Sequence, residues 1–153
     1  MDIQISRKAV YAIITIAGFV AGFLFGGYWY GDARPGGSVL VPDDVLEVAR
    51  AGGAEIFQLV EPDSLNADLF TPEFVASYAE HYDIFTRAFK STVTQRWVGT
   101  PVVVWHGDGW LDLNLMAQTE AGIEALGIRV SKSGEGQWQI SEVFYRQLRE
   151  PAR

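Results

Sequence analysis

The run VVVWHGDGWLDLNLM, residues 102–116, decides the fold of this chain. Two apolar stretches flank Gly107, Asp108 and Gly109, and glycines around an acidic residue between such stretches signal a β-hairpin. In the second stretch Leu111, Leu113 and Leu115 alternate with Trp110, Asp112, Asn114 and Met116. Successive strand side chains point to opposite faces, so the leucines mark a core face and the other four residues a polar and aromatic one. A sheet with two such different faces is antiparallel and covered on one side only.

Working outward, the alternating period continues downstream. Residues 123–131 form a third run, KSGEG at 132–136 supplies a turn, and WQISEVFYRQL at 138–148 makes a fourth. Upstream the period is helical. Thr71 is suited to an N-cap, Pro72 to the first turn and Glu73 to the positive end of the helix dipole. From there Phe74, Tyr78, Tyr82, Phe85 and Phe89 recur at helical spacing and predict one aromatic face on a helix reaching about Ser91. A stripe of this kind is a core face before it is a ligand box. Before it, Pro42, Asp43 and Asp44 start a shorter helix with Val45, Leu46, Val48 and Ala49 as its apolar face, and Gly52 and Gly53 read as its stop. Ile56, Phe57, Leu59 and Val60 fit a second short helix or an extended piece. Helices first and a meander of three to five antiparallel strands after them make an α+β domain, with the helices on the leucine face.

This order resembles the nuclear transport factor 2-like, or cystatin-like, cone fold. The resemblance spans residues 69–148 and rests on LFTPEF opening the long helix, on the hairpin, and on the last strand, where Trp138, Ile140, Glu142, Val143 and Phe144 follow the habit of that fold. It implies a long helix lying across a strongly curved sheet, whose face can line a pocket.

The amino-terminal part has a different character. Residues 9–31, AVYAIITIAGFVAGFLFGGYWYG, contain no Asp, Glu, Lys, Arg or His. About 20 such residues suffice for a helix to cross a hydrocarbon layer roughly 30 Å thick, so the run predicts a transmembrane helix. Arg7 and Lys8 precede it, whereas Arg34 after it is offset by Asp32. Positive flanks stay inside, which puts residues 1–8 in the cytoplasm and the domain outside, in a bacterium at the periplasmic face of the inner membrane. Tyr28, Trp29 and Tyr30 then fall in the outer interface, where amphipathic rings partition. A cleaved signal peptide shares the basic start, but its apolar core is about 7–15 residues and ends in small residues, and this run is longer and ends in aromatics. Gly18, Gly22 and Gly26 recur every four residues and form a smooth helix stripe, the kind of surface that lets two membrane helices approach closely. The stripe suits a copy of the chain or another membrane protein. Residues 32–38, DARPGGS, read as a tether, and residues 39–153 as the extracytoplasmic domain.

Charge and composition narrow the functions. The chain carries −7, and its first 38 residues contribute +1, which leaves −8 on the domain. Such a domain repels phosphate backbones, so nucleic acid is not an expected partner. There is no cysteine, hence no disulfide, thiol nucleophile or thiolate metal site. His81 and His106 form no ligand cluster, and no phosphate loop or nucleophile elbow is present, so neither a metal nor a cofactor nor a catalytic set is expected. Glu120 and Glu124 read as a solvated turn and strand edge. The candidate pocket is Trp110, Asp112, Asn114 and Met116, with Asp112 a base if it is buried; the competing expectation is that Asp112 and Asn114 face water, since neither has an identifiable partner in sequence. Two functions follow: a non-enzymatic accessory or scaffold subunit of a membrane complex, similar in plan to single-span subunits of type IV secretion and lipid-import systems, or a small-ligand or proton-transfer domain built around Asp112.

Overall fold

The computed structural model describes residues 34–35 and 39–149, and the segments read above as cytoplasmic tail, span, glycine stripe and aromatic anchors lie outside those residues. No helix among the described residues is long and apolar enough to cross a membrane. The domain is α+β, two helices on one face of an antiparallel sheet.

Helix α1 (Asp43–Gln58) begins after Pro42, with Asp43 and Asp44 in its first turn and Asp44 Oδ1 accepting the Val45 N–H at 2.9 Å. It does not stop at Gly52 and Gly53. Both glycines are buried within it, and Ile56 and Phe57 belong to the same helix. The two glycines serve close approach. A Cβ on Gly52 would collide with Ile140 Cδ1 and stand 3.2 Å from Phe70, and one on Gly53 would stand 3.0 Å from Trp97 and 3.4 Å from Leu126. The helix therefore rests its backbone directly on the sheet, and it ends where Leu59 turns into the left-handed region at φ 52° and ψ 47°.

Leucine rarely adopts that conformation, since its Cβ crowds the backbone there. Helix α2 (Pro72–Ala88) holds it in place. Tyr82 donates to the Leu59 carbonyl at 2.7 Å and Tyr78 to the Val60 carbonyl at 3.1 Å. α2 starts as its sequence dictates, with Thr71 Oγ1 accepting the Phe74 N–H at 3.2 Å and Pro72 in the first turn, and it ends at Ala88, a little before Ser91. Its aromatic stripe is core. Phe70 stacks on Phe74 at 5.1 Å, Phe74 on Tyr78 at 5.8 Å, and Phe85 packs against Tyr78 at 5.5 Å.

Tyr78 is nearly inaccessible, and burial, reinforced by neighbouring Tyr82, pushes its hydroxyl up to about 12. The unfolded chain would release that proton near pH 10. Because the native state keeps it, stability from this group is complete below pH 10 and is lost as pH rises toward 12. Urea midpoints measured across that window should fall more steeply for the native chain than for Tyr78→Phe, which will be less stable at neutral pH through loss of the Val60 bond. Parallel pH profiles for the two proteins would contradict this account.

The sheet runs in the order β1 (Arg34–Pro35), β3 (Val102–Gly107), β4 (Trp110–Thr119), β5 (Gly122–Lys132) and β6 (Trp138–Arg149), and the two-residue β2 (Arg96–Trp97) also pairs with β4. The expected strands are present. Of the segment 32–38, read above as a tether, the described residues are Arg34 and Pro35, and they pair with His106 and Trp105. Register shifts occur between Val103 and Trp105 on β3, and at Gly127/Ile128 and Arg129/Val130 where β5 meets β6. Bulges of this kind bend a strand and increase its twist, in keeping with the curvature of the sheet. The core lies on the leucine face: Leu111, Leu113, Leu115, Leu126, Ile128, Val130 and Ile140 meet Val45, Ala49, Ile56 and Phe57 of α1 and Phe74 and Tyr78 of α2. The segment before α2 closes over the start of β6 through hydrogen bonds from Thr71 N–H to the Ile140 carbonyl and from Ile140 N–H to the Leu69 carbonyl.

Candidate functional site on the outer sheet face

The register places Trp110, Asp112, Asn114 and Met116 on the face turned away from the helices, opposite Ser131, Arg129, Gly127 and Ala125 of β5. Asp112 does not face water. It is 5% exposed, and Arg129 grips both of its oxygens, Nε to Oδ1 at 2.7 Å and Nη2 to Oδ2 at 2.9 Å. The same guanidinium lies 4.4 Å from the centre of the Trp110 ring and 5.3 Å from that of Phe144, with Glu142 3.6 Å from Nη1. Two parallel charge-assisted bonds and two aromatic faces hold Arg129 rigidly. This constellation satisfies itself: both carboxylate oxygens are engaged by the one guanidinium.

Asn114 is half-buried, and its Oδ1 has no hydrogen-bond partner within the protein. Opposite it, the Tyr145 ring occupies the space where a side chain on Gly127 would stand, so that aromatic ring covers the strand pair. Met116 is half-buried beside Ala125. The four residues thus share one face, but only Trp110 and Asp112 are joined through a common partner. Ser131 and Ser141 complete the neighbourhood, their hydroxyls 2.7 Å apart.

Two features escape the sequence reading. Glu124, expected at a solvated edge, is buried on the core side and bonded to Arg146, Nε to Oε2 at 3.1 Å, whereas Glu120 is exposed at the turn as expected. The second is an open depression of about 580 Å³ along α1, lined by Asp43, Leu46, Glu47, Arg50, Ala51, Ala54 and Trp97. Its one guanidinium, that of Arg50, donates from Nη2 to the Gly99 carbonyl at 3.2 Å, while its buried Nε has no partner within the protein. His81 is an exposed helix residue with Nδ1 2.8 Å from the Ser77 carbonyl, and His106 sits far from it in sequence on β3. Among the described residues no three His, Cys, Asp or Glu side chains converge as a metal site would need.

No family model, curated protein or solved structure matches the chain.

Proposed function

We propose that the protein is a non-enzymatic accessory or scaffold subunit of a membrane complex, held by a single glycine-striped helix with its acidic domain on the periplasmic side of a bacterial inner membrane. The observation that carries this reading is the uncharged run of residues 9–31 with Gly18, Gly22 and Gly26 at four-residue spacing. Its partner is a membrane protein, a second copy included, met through that stripe and surrounded by lipid. Two helices lying on a bulged antiparallel sheet support the resemblance to the nuclear transport factor 2-like cone fold.

The competing reading, a ligand or proton-transfer domain around Asp112, needs a carboxylate free to take a proton. The bidentate bond to Arg129 engages both oxygens, which favours the scaffold reading. In the test, Gly18, Gly22 and Gly26 are replaced together by leucine. Leucine keeps the run apolar enough to insert, but it holds helix backbones apart, so co-purifying chains or the self-associated species should be lost in mild detergent while the membrane fraction still contains the protein. Identical partners and identical migration for the two proteins would sink the proposal.

A further inference from the structure

Most of the large apolar side chains on this domain are covered, and those that are not include a group on β3. Val102 is 61% exposed, Val104 44% and Trp105 45%, while Val103 between them points into the core. The bulge at Val104 makes this possible. A regular strand would turn residues 102 and 104 to one side and 103 and 105 to the other, but the register shift between Val103 and Trp105 brings Trp105 to the same outer face as Val102, opposite Asp112 and Asn114.

What lies next to this rim follows from the chain itself. β1 pairs Pro35 with Trp105 and Arg34 with His106, so the rim is stitched to the segment that follows the apolar run. That run ends at Gly31, three residues before Arg34, and three extended residues reach at most about 11 Å. Neighbouring strands add about 5 Å, which brings the Trp105 backbone within about 16 Å of the end of the run. The headgroup layer on each side of a bilayer is about 5–8 Å thick. A tryptophan side chain starting that close has the interface within reach, and the interface is where its apolar ring and N–H are both accommodated.

The charge pattern fits the same neighbour. The domain as a whole is strongly acidic, yet residues 102–107, VVVWHG, carry no carboxylate, and Asp112 beneath Trp105 is paired with Arg129. We infer that Val102, Val104 and Trp105 form a lipid-facing rim that lies in the interfacial layer of the membrane and holds the domain against the bilayer. The rim acts as a second point of attachment to the bilayer. This inference rests on the anchored reading above.

The test uses the full chain, whose lack of cysteine lets a single introduced thiol carry one probe. Val104→Cys and, separately, Val102→Cys are labelled with an environment-sensitive nitrobenzoxadiazole and reconstituted into phosphatidylcholine vesicles with or without phosphatidylcholine nitroxide-labelled near the headgroup or, for the control inside the run, deep on the acyl chain. Ile84→Cys, exposed on α2, and Phe19→Cys, inside the apolar run, are treated alike. The expected result is blue-shifted emission and quenching by the labelled lipid at 102 and 104 as well as at 19, with neither at 84. Quenching at 19 with water-like, unquenched emission at 102 and 104 overturns the rim and leaves the anchor standing. Shifted but unquenched emission at 102 and 104 also overturns it, since protein and not lipid would then cover the rim. No quenching at 19 would show instead that the anchored reading itself had failed.

Discussion

Replacing Arg146 with methionine is expected to lower the unfolding free energy by about 3–5 kcal/mol, the usual consequence of leaving a buried charge without its partner. The Arg146 side chain is 3% exposed and that of Glu124 7%. Beyond Glu124, the guanidinium donates to the Ile56 carbonyl at 3.3 Å and the Lys90 carbonyl at 2.9 Å, and lies 5.0 Å from the Phe57 ring and 5.3 Å from that of Phe89. One side chain thus ties β6 to β5, to the last turn of α1 and to the segment after α2. Lysine would not substitute, because a single ammonium cannot present a planar fork to a carboxylate and two carbonyls together. Removing both charges with Glu124→Leu and Arg146→Met should be milder than the single Arg146→Met change, since no carboxylate is then stranded in the core. Urea unfolding of the full chain in mild detergent, followed by tryptophan fluorescence, gives all the values. A single variant no more harmful than the double would mean that Glu124 finds water, contrary to the packing described.

That pair also shows where sequence reasoning reaches its limit. The hairpin, the third and fourth runs and the Thr71 start are legible because each is local: period, turn residue and cap all lie within a few positions. Glu124 and Arg146 are 22 residues apart, and their meeting depends on the register of β5 against β6, which two irregularities alter. No period within WQISEVFYRQL announces that its arginine is buried. Asp112 and Arg129 are a different case. With Glu120 and Ala121 as a two-residue turn between β4 and β5, the register follows and sets Asp112 opposite Arg129, so the partner was within reach of the sequence once the turn was placed. β1 offered no such opening, because two residues have no period and a proline with two glycines reads as irregular chain.

Gly52 was misread for a reason that can be measured. A glycine pair is the common signal for a helix end, and it is also the only way for a helix backbone to sit this close to a neighbour. The two meanings predict opposite effects of alanine. At a mid-helix glycine with free space around it, alanine stabilises by roughly 1 kcal/mol through helix propensity. At Gly52 the new methyl would meet Ile140 Cδ1, which is fully buried, and the edge of the Phe70 ring, so neither neighbour has space to withdraw. Gly52→Ala should therefore destabilise despite the propensity gain, and Gly52→Leu by about 3 kcal/mol or more, at the upper end of what overpacking costs. A compensating change sharpens the test. Ile140→Val deletes the very methyl in the way and on its own costs about 0.5–1.5 kcal/mol. In the Gly52→Ala background the same change should cost less than that or restore stability, a favourable coupling of at least about 0.5 kcal/mol, the size expected for residues in contact. Strict additivity of the two substitutions in urea unfolding would show that α1 does not rest on Ile140 through Gly52. The close packing of helix on sheet, which fixes the layer opposite the outer face, would then need another explanation.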